Sequence, residues 1–202
     1  MEAPESAAPG PRIAPLAPPY GDELQALLAR MTPPAAPDIL LLFRVLAQHP
    51  PLAERMTGWG GFLLGRRASL SLHDREVVIA RVCALCGAEY EWGVHVAAFA
   101  QAAGIGAAQH AAIADRAGDG AALEPRDRLL VRLCDELHDT ATVADALWQQ
   151  LAQHWSAAQL IELLMLAGWY RAISYVCNAA RVPLESWGAR FPRAGGAEAA
   201  PR

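Results

Sequence analysis

Apolar residues recur along this chain at helical spacing, and the breaks between apolar stretches fall at Pro and Gly. No run alternates with a period of two, so the pattern predicts an all-α fold. A first helix is predicted over 22–31, stopped by Pro33 and Pro34, and a second over 37–48, stopped by Pro50 and Pro51. A third covers 52–64, weakened by Gly58, Gly60 and Gly61. Ser71-Leu72-His73-Asp74 has the form of an N-terminal cap and opens a helix through 86. Gly87 breaks the chain before a helix over 89–103, which Gly104 and Gly106 end. Later helices are predicted over 107–117, 125–138, 143–153 and 157–179. Pro125 suits a first helical position, and Ser156 with Gln159 forms a capping box.

Outside the periodic body, residues 1–19 are rich in Pro and Ala and read as a flexible or extended tail. A single helical domain is expected over 20–190, with a flexible tail over 191–202. At 202 residues one domain is the default. There is no solenoid repeat and no Gly-rich phosphate loop. The opening residues lack a basic segment followed by an apolar one, so they do not read as a secretory signal. The longest apolar run, Leu163 to Tyr170, is short for a bilayer, so no membrane association is expected. Four cysteines without such a signal point to reduced thiols in the cytoplasm.

Composition adds two expectations. Hydrophobic residues make up 53% of the chain and charged ones 19%, more apolar surface than one subunit's core readily absorbs. A homo-oligomer follows from that excess. The net charge of −4 and the lack of a basic cluster give no electrostatic reason to expect a nucleic-acid partner.

The densest candidate chemistry is Glu89-Tyr90-Glu91-Trp92-Gly93-Val94-His95. On a helix, Glu91 and His95 lie four residues apart and share a face. A carboxylate beside an imidazole orients the ring and raises its basicity, an arrangement suited to proton transfer; a plain surface ion pair uses the same spacing. Glu76 and Arg81 lie in the otherwise apolar helix before it. A charge in that setting must be paired, so Arg81 is either a tie between helices or a cation aimed at a substrate. Cys83-x-x-Cys86 closes this helix, away from a helix N-terminus that would lower a thiol pKa, and both cysteines read as small buried hydrophobes. Cys134 and Cys177 sit singly in apolar runs. Cys83, Cys86 and His95 are too few ligands for a zinc site, so no metal is expected. His138, near the end of its helix, reads as a cation favoured by the helix dipole. His49, His73, His110 and His154 read as surface or loop residues. Of Trp169, Tyr170, Tyr175 and Asn178, most read as packing residues, though a hydroxyl or amide from that helix could reach a substrate.

The segment REVVIARVCALCGAEYEWGVHVAAFAQAAGI resembles the carboxymuconolactone decarboxylase family, which includes the alkyl hydroperoxidase D group. LLVRLCDELH and residues 160–178 resemble the later helices of its larger members, so the resemblance covers roughly 38–190. The peroxidase branch carries a glutamate, then Cys-x-x-Cys-x-x-x-His. Aligned on His95, that glutamate is Glu76, while the two cysteine positions fall on Ala88 and Glu91. Cys83-x-x-Cys86 lies five residues too early. The resemblance therefore implies acid–base chemistry by His95, Glu91 and Glu76, with His95 moving the proton, Glu91 orienting it and Glu76 relaying. Tyr90, Trp92 and Arg81 are the expected substrate contacts. The decarboxylase branch acts on a carboxylated unsaturated lactone without metal or organic cofactor, so no cofactor is expected. That branch is shorter and lacks the EYEW cluster, so its particular substrate does not carry over. Three functions stay open: a lyase or isomerase on a small-molecule substrate, a thiol peroxidase, and a non-catalytic family member. The resemblance also implies a trimer, or a hexamer built from trimers.

Overall fold

The computed structural model describes residues 10–33, 36–118 and 120–192. Among the described residues the chain forms nine helices and no strand. They are α1 (Asp22–Met31), α2 (Leu41–Leu46), α3 (Pro50–Leu63), α4 (Leu72–Leu85), α5 (Glu89–Ala103), α6 (Ala107–Ala114), α7 (Pro125–Thr140), α8 (Asp145–Leu151) and α9 (Ala157–Ala180).

Helix α4 is the centre of the molecule, packed against α5, α6, α7 and α9. Its middle, from Val77 to Cys83, is buried on every side, as a helix apolar all round but for Arg81 requires. Ser71 caps it by accepting from the Asp74 amide at 3.0 Å. At its far end Gly87 takes φ +61, the Ala88 amide bonds the Cys83 carbonyl and the Gly87 amide bonds the Ala84 carbonyl. Those two bonds reverse the chain in a Schellman turn, so α5 runs back along α4. Glu76 lies about three turns before this reversal and His95 about two turns after it, close enough along the hairpin for the two side chains to meet.

Around this hairpin lie two apolar clusters. One joins α4 to α6, α7, α8 and α9, with Ile79, Ile113, Leu130, Leu133, Leu147 and Leu163 fully or almost fully buried. The other joins α1, α2 and α3 to α5 and α9 through Leu27, Leu42, Val45, Ala53, Val94 and Ile173. Helix α9, at 24 residues, is by length and composition long enough to cross a membrane. Here it packs between α3, α4 and α5, with Leu163, Leu166 and Tyr170 buried.

Several boundaries differ from the sequence expectation for physical reasons. Helix α3 begins at Pro50 because Pro at the first positions loses no helical hydrogen bond, and His49 Nδ1 accepts from the Leu52 amide at 3.2 Å. Helix α2 starts only at Leu41. The preceding Asp38 accepts from the Ile39 amide and pairs with Arg44, holding the chain outside the helix. Helix α6 stops at Ala114 because Arg81 draws the Ile113 and Asp115 carbonyls to itself at 2.7 and 3.1 Å.

Of the tail expected over 1–19, residues 10–19 run extended against the body. Arg12 and Ile13 amides bond the Ala180 carbonyl, and the Leu16 amide bonds that of Arg44. At the other end, residues 182–192 cross α5 directly. The Ala189 amide bonds the Gly93 carbonyl at 3.0 Å, and a Cβ on Gly93 would collide with the Ala189 backbone. Phe191 then packs on Trp92. Residues 1–9 and 193–202 of the two expected tails lie outside the described residues.

Candidate active site

His95 projects from α5 into the space between the two clusters, 6% exposed, and both of its ring nitrogens are engaged. Nδ1 lies 2.8 Å from Glu76 Oε2 on α4, and Nε2 lies 2.8 Å from the Tyr170 hydroxyl on α9. A carboxylate accepts only, so Nδ1 carries the proton; with the ring neutral, Nε2 accepts from Tyr170. Glu91 Oε2 stands 3.7 Å from Nε2, within ion-pair range but too long for a hydrogen bond. The orienting carboxylate is therefore Glu76 from the neighbouring helix, where the i,i+4 spacing pointed to Glu91. Helical spacing brings two side chains to one face, but the closer approach here comes from across the hairpin.

The electrostatics follow from burial and these contacts. Burial alone would lower the His95 pKa; Glu76, by charge and hydrogen bond, and Glu91 outweigh it, and the net shift is upward. Burial pushes the Glu91 carboxyl above the ordinary carboxylate range, with the His95 charge only partly offsetting it. Burial also drives the Tyr170 hydroxyl well up, reinforced by Glu91 and Glu76, so it is a neutral donor. The cluster thus holds a cationic imidazole readily, a carboxyl group that keeps its proton to higher pH than usual, and a hydroxyl that stays protonated.

Glu91, His95 and Tyr170 form a polar part of the wall of a cavity of about 430 Å³. The rest of the wall is mostly apolar and comes from α1, α2, α3, α5 and α9, including Leu42, Phe43, Met56, Phe99, Trp169 and Ile173. Trp169 also packs on Trp59 of α3, 5.2 Å between ring centroids, and the missing side chain of Gly60 leaves it room. Glu76 does not reach the wall; it stands behind His95. Arg30 of α1 lines the cavity together with Thr32, and its nearest carboxylate is Glu54 at 4.0 Å, both side chains more than half exposed.

The three expected substrate contacts do not line this cavity. Arg81 is 2% exposed and holds Asp135 through Nε and Nη2 at 2.7 and 2.8 Å, with Nη1 on the Ile113 and Asp115 carbonyls. It ties α4 to α6 and α7, the structural alternative for a buried cation. The Tyr90 hydroxyl donates to Glu185 at 2.6 Å and accepts from the Leu42 amide at 3.0 Å, fastening α5 to α2 and the C-terminal segment. Trp92 is core, packed edge-on to His110 and against Phe191. Residues that the sequence did not single out for the cavity include Arg30, Trp169 and Phe99. Tyr170 stood among several aromatics at helical spacing, and no pattern within α9 separates it from Tyr175, which is 58% exposed.

Cys83 and Cys177 lie near Glu91 without being activated. Cys83 is fully buried, and burial drives its pKa well up; burial raises Cys134 and Cys177 as well. Cys177 Sγ approaches Glu91 Oε1 at 3.8 Å as a weak donor. Ala88 and Glu91 stand where the peroxidase pattern has its cysteines. Among the described residues no group of three or more His, Cys, Asp or Glu side chains is arranged to hold a metal ion. Two further histidines expected at the surface are structural: His110 is buried, and His73 bridges the Ala103 carbonyl and Asp127 at 2.8 and 2.9 Å.

Solved structures share this architecture. An uncharacterized peroxidase-related protein from Silicibacter sp. TM1040 superposes with a TM-score of 0.73 at 18% identity, covering 92% of this chain and 96% of its own. The debrominase Bmp8, a Cys→Ala variant in complex with 2,3,4-tribromopyrrole, superposes with a TM-score of 0.70 at 13% identity, covering 87% and 92%. At those identities the likeness is one of fold. No curated protein matches the chain in sequence. The segment carrying Glu76, Glu91 and His95 lies within residues 50–124, which match the model of the carboxymuconolactone decarboxylase family.

Proposed function

We propose that the protein is a cofactor-independent acid–base enzyme of carboxymuconolactone decarboxylase type, decarboxylating or isomerising a small unsaturated carboxylic acid or lactone. One observation carries this: the buried Glu76–His95–Tyr170 chain, with Glu91 beside it, opens onto an otherwise mostly apolar cavity sized for a small organic molecule.

The residues divide the work as follows. Arg30 at the α1 side of the cavity is the anchor for a substrate carboxylate, and Trp169 and Phe99 flank an unsaturated skeleton. In decarboxylation, the bond to the carboxylate carbon breaks, its electron pair enters the conjugated carbonyl system, and carbon dioxide leaves. The enolate carbon then takes the Glu91 proton, protonated His95 restores it, and solvent reprotonates His95. Tyr170 donates a hydrogen bond to the developing oxyanion. Isomerisation uses the same groups with Glu91 ionised: it takes a proton from one carbon, exchanges it with solvent by way of His95, and delivers a proton to another carbon. Glu76 holds the ring and stabilises its cation throughout.

Thiol peroxidation is the less supported reading, because burial raises the pKa of Cys83, Cys134 and Cys177 and the thiolate is the reactive species. The test is a two-armed assay. The protein is offered a panel of small unsaturated acids and lactones, and separately a hydroperoxide with a dithiol. Turnover in the first arm, retained when Cys83 and Cys86 are both changed to Ala, supports the proposal. Turnover only in the second arm, lost in that variant, rejects it.

A further inference from the structure

Away from the candidate active site, Val82 and Leu85 of α4, Leu137 and His138 of α7 and Leu164 and Gly168 of α9 line a second cavity of about 210 Å³, with Arg171 at its edge. It shares no residue with the first cavity and uses a different face of α9. Arg171 is unusual in its partners. Its Nη1 bonds His138 Nδ1 at 2.7 Å, and its Nε donates to the Tyr175 hydroxyl at 2.7 Å, both of them neutral acceptors. Nearby carboxylates are engaged elsewhere: Asp135 by both oxygens to Arg81, and Asp139 by both oxygens to Arg116. No carboxylate bonds Arg171 among the described residues.

His138 does not serve as the helix-end cation expected from its position. Burial, then Arg171 and Arg116, lower its pKa against the opposing pull of Asp139 and Asp135, so it stays a neutral acceptor for Arg171. The site therefore combines a guanidinium lacking a counter-anion with a pocket of aliphatic side chains. A guanidinium is satisfied best by a planar carboxylate in a two-pronged bond. The cavity is below the ~300–1,000 Å³ typical of larger ligands, which sizes the occupant. Gly168 leaves open space in its wall, with no atom within 4 Å of where a Cβ would stand.

We propose that this cavity is a second binding site, taking a monocarboxylate with a short aliphatic tail: the carboxylate on Arg171, the tail among Val82, Leu85, Leu137 and Leu164. The charge asks for an anion, and the walls ask for a hydrocarbon.

The test titrates hexanoate into the full-length protein and follows the His138 ring by NMR, with hexanamide as the uncharged control. Hexanoate is expected to move the His138 resonances and raise its pKa, because the bound carboxylate offsets Arg171; hexanamide is expected to leave the pKa unchanged. Arg171→Gln removes the cation, and Gly168→Leu fills the cavity with a better helix former. Each is expected to weaken hexanoate binding by about tenfold or more. His95→Ala is expected to bind hexanoate here unchanged, so this site stands or falls separately from the acid–base proposal. A His138 ring indifferent to hexanoate, or a response that survives both Arg171→Gln and Gly168→Leu, would overturn the assignment.

Discussion

His95 takes its short hydrogen bond from Glu76 across the α4–α5 hairpin, at 2.8 Å, while Glu91 on its own helix stands 3.7 Å away. The two carboxylates accordingly have different work: one holds the ring, the other faces the cavity.

The ring held by Glu76 gives a pH-dependent stability. The folded protein binds the His95 proton more tightly than the unfolded chain, whose ordinary value is 6.5. The stabilisation is therefore complete below that value and is lost as pH rises through the folded pKa. Denaturant titrations of wild type and His95→Gln are expected to differ most at about pH 6 and to converge at higher pH. An NMR titration of Glu76→Gln should find the His95 pKa lowered.

Glu91 is expected to trade stability for chemistry. Its carboxyl is raised above the ordinary 4.5, so the folded state gives up that proton reluctantly and stability declines as pH rises from 4.5 through the folded pKa. Glu91→Gln should flatten that decline in thermal melts while reducing turnover, because the amide keeps the shape but cannot transfer the proton. The His95 pKa should fall in this variant too.

Tyr170→Phe removes one hydroxyl from the wall and leaves the ring packed against His95, 5.1 Å between centroids. Turnover is expected to fall by about 10²-fold, the lower end for a positioned proton-transfer group, with the helical circular dichroism spectrum unchanged.

Arg81→Ala tests the tie between helices. It leaves Asp135 and two carbonyls without their buried partner and is expected to cost about 3 kcal/mol in denaturant unfolding. Substrate affinity in the folded fraction should be unaffected, since Arg81 does not line the cavity.

Much of this was legible in the sequence, and the limits are physical. Helix period, Pro and Gly breaks and the caps at Ser71 and Ser156 place every helix, because these signals act within a few residues. Glu76, Glu91 and His95 were legible through the family pattern, and the first and last do meet. Which carboxylate holds His95 was not, because that depends on how the Gly87 turn sets α5 against α4. Tyr90, Trp92 and Arg81, expected as substrate contacts, do not line the cavity, for a related reason. A polar or aromatic residue beside a catalytic motif has the same spacing whether it faces a cavity or a neighbouring helix. Their partners, Glu185, Phe191 and Asp135, lie 54 to 99 residues along the chain or were not themselves marked by any motif. Arg30 was invisible for the same reason, since α1 meets the site only through tertiary packing.

The central claim is that His95, Glu91 and Tyr170 move a proton to or from carbon. Its most direct test is solvent-isotope incorporation: the protein is incubated in D2O with the acids and lactones it turns over, and the products are read by NMR. Deuterium at the carbon that lost carbon dioxide or changed its unsaturation, with incorporation abolished in His95→Ala, is the predicted result. Undiminished turnover in folded His95→Ala, or product formed without solvent deuterium at carbon, would contradict it.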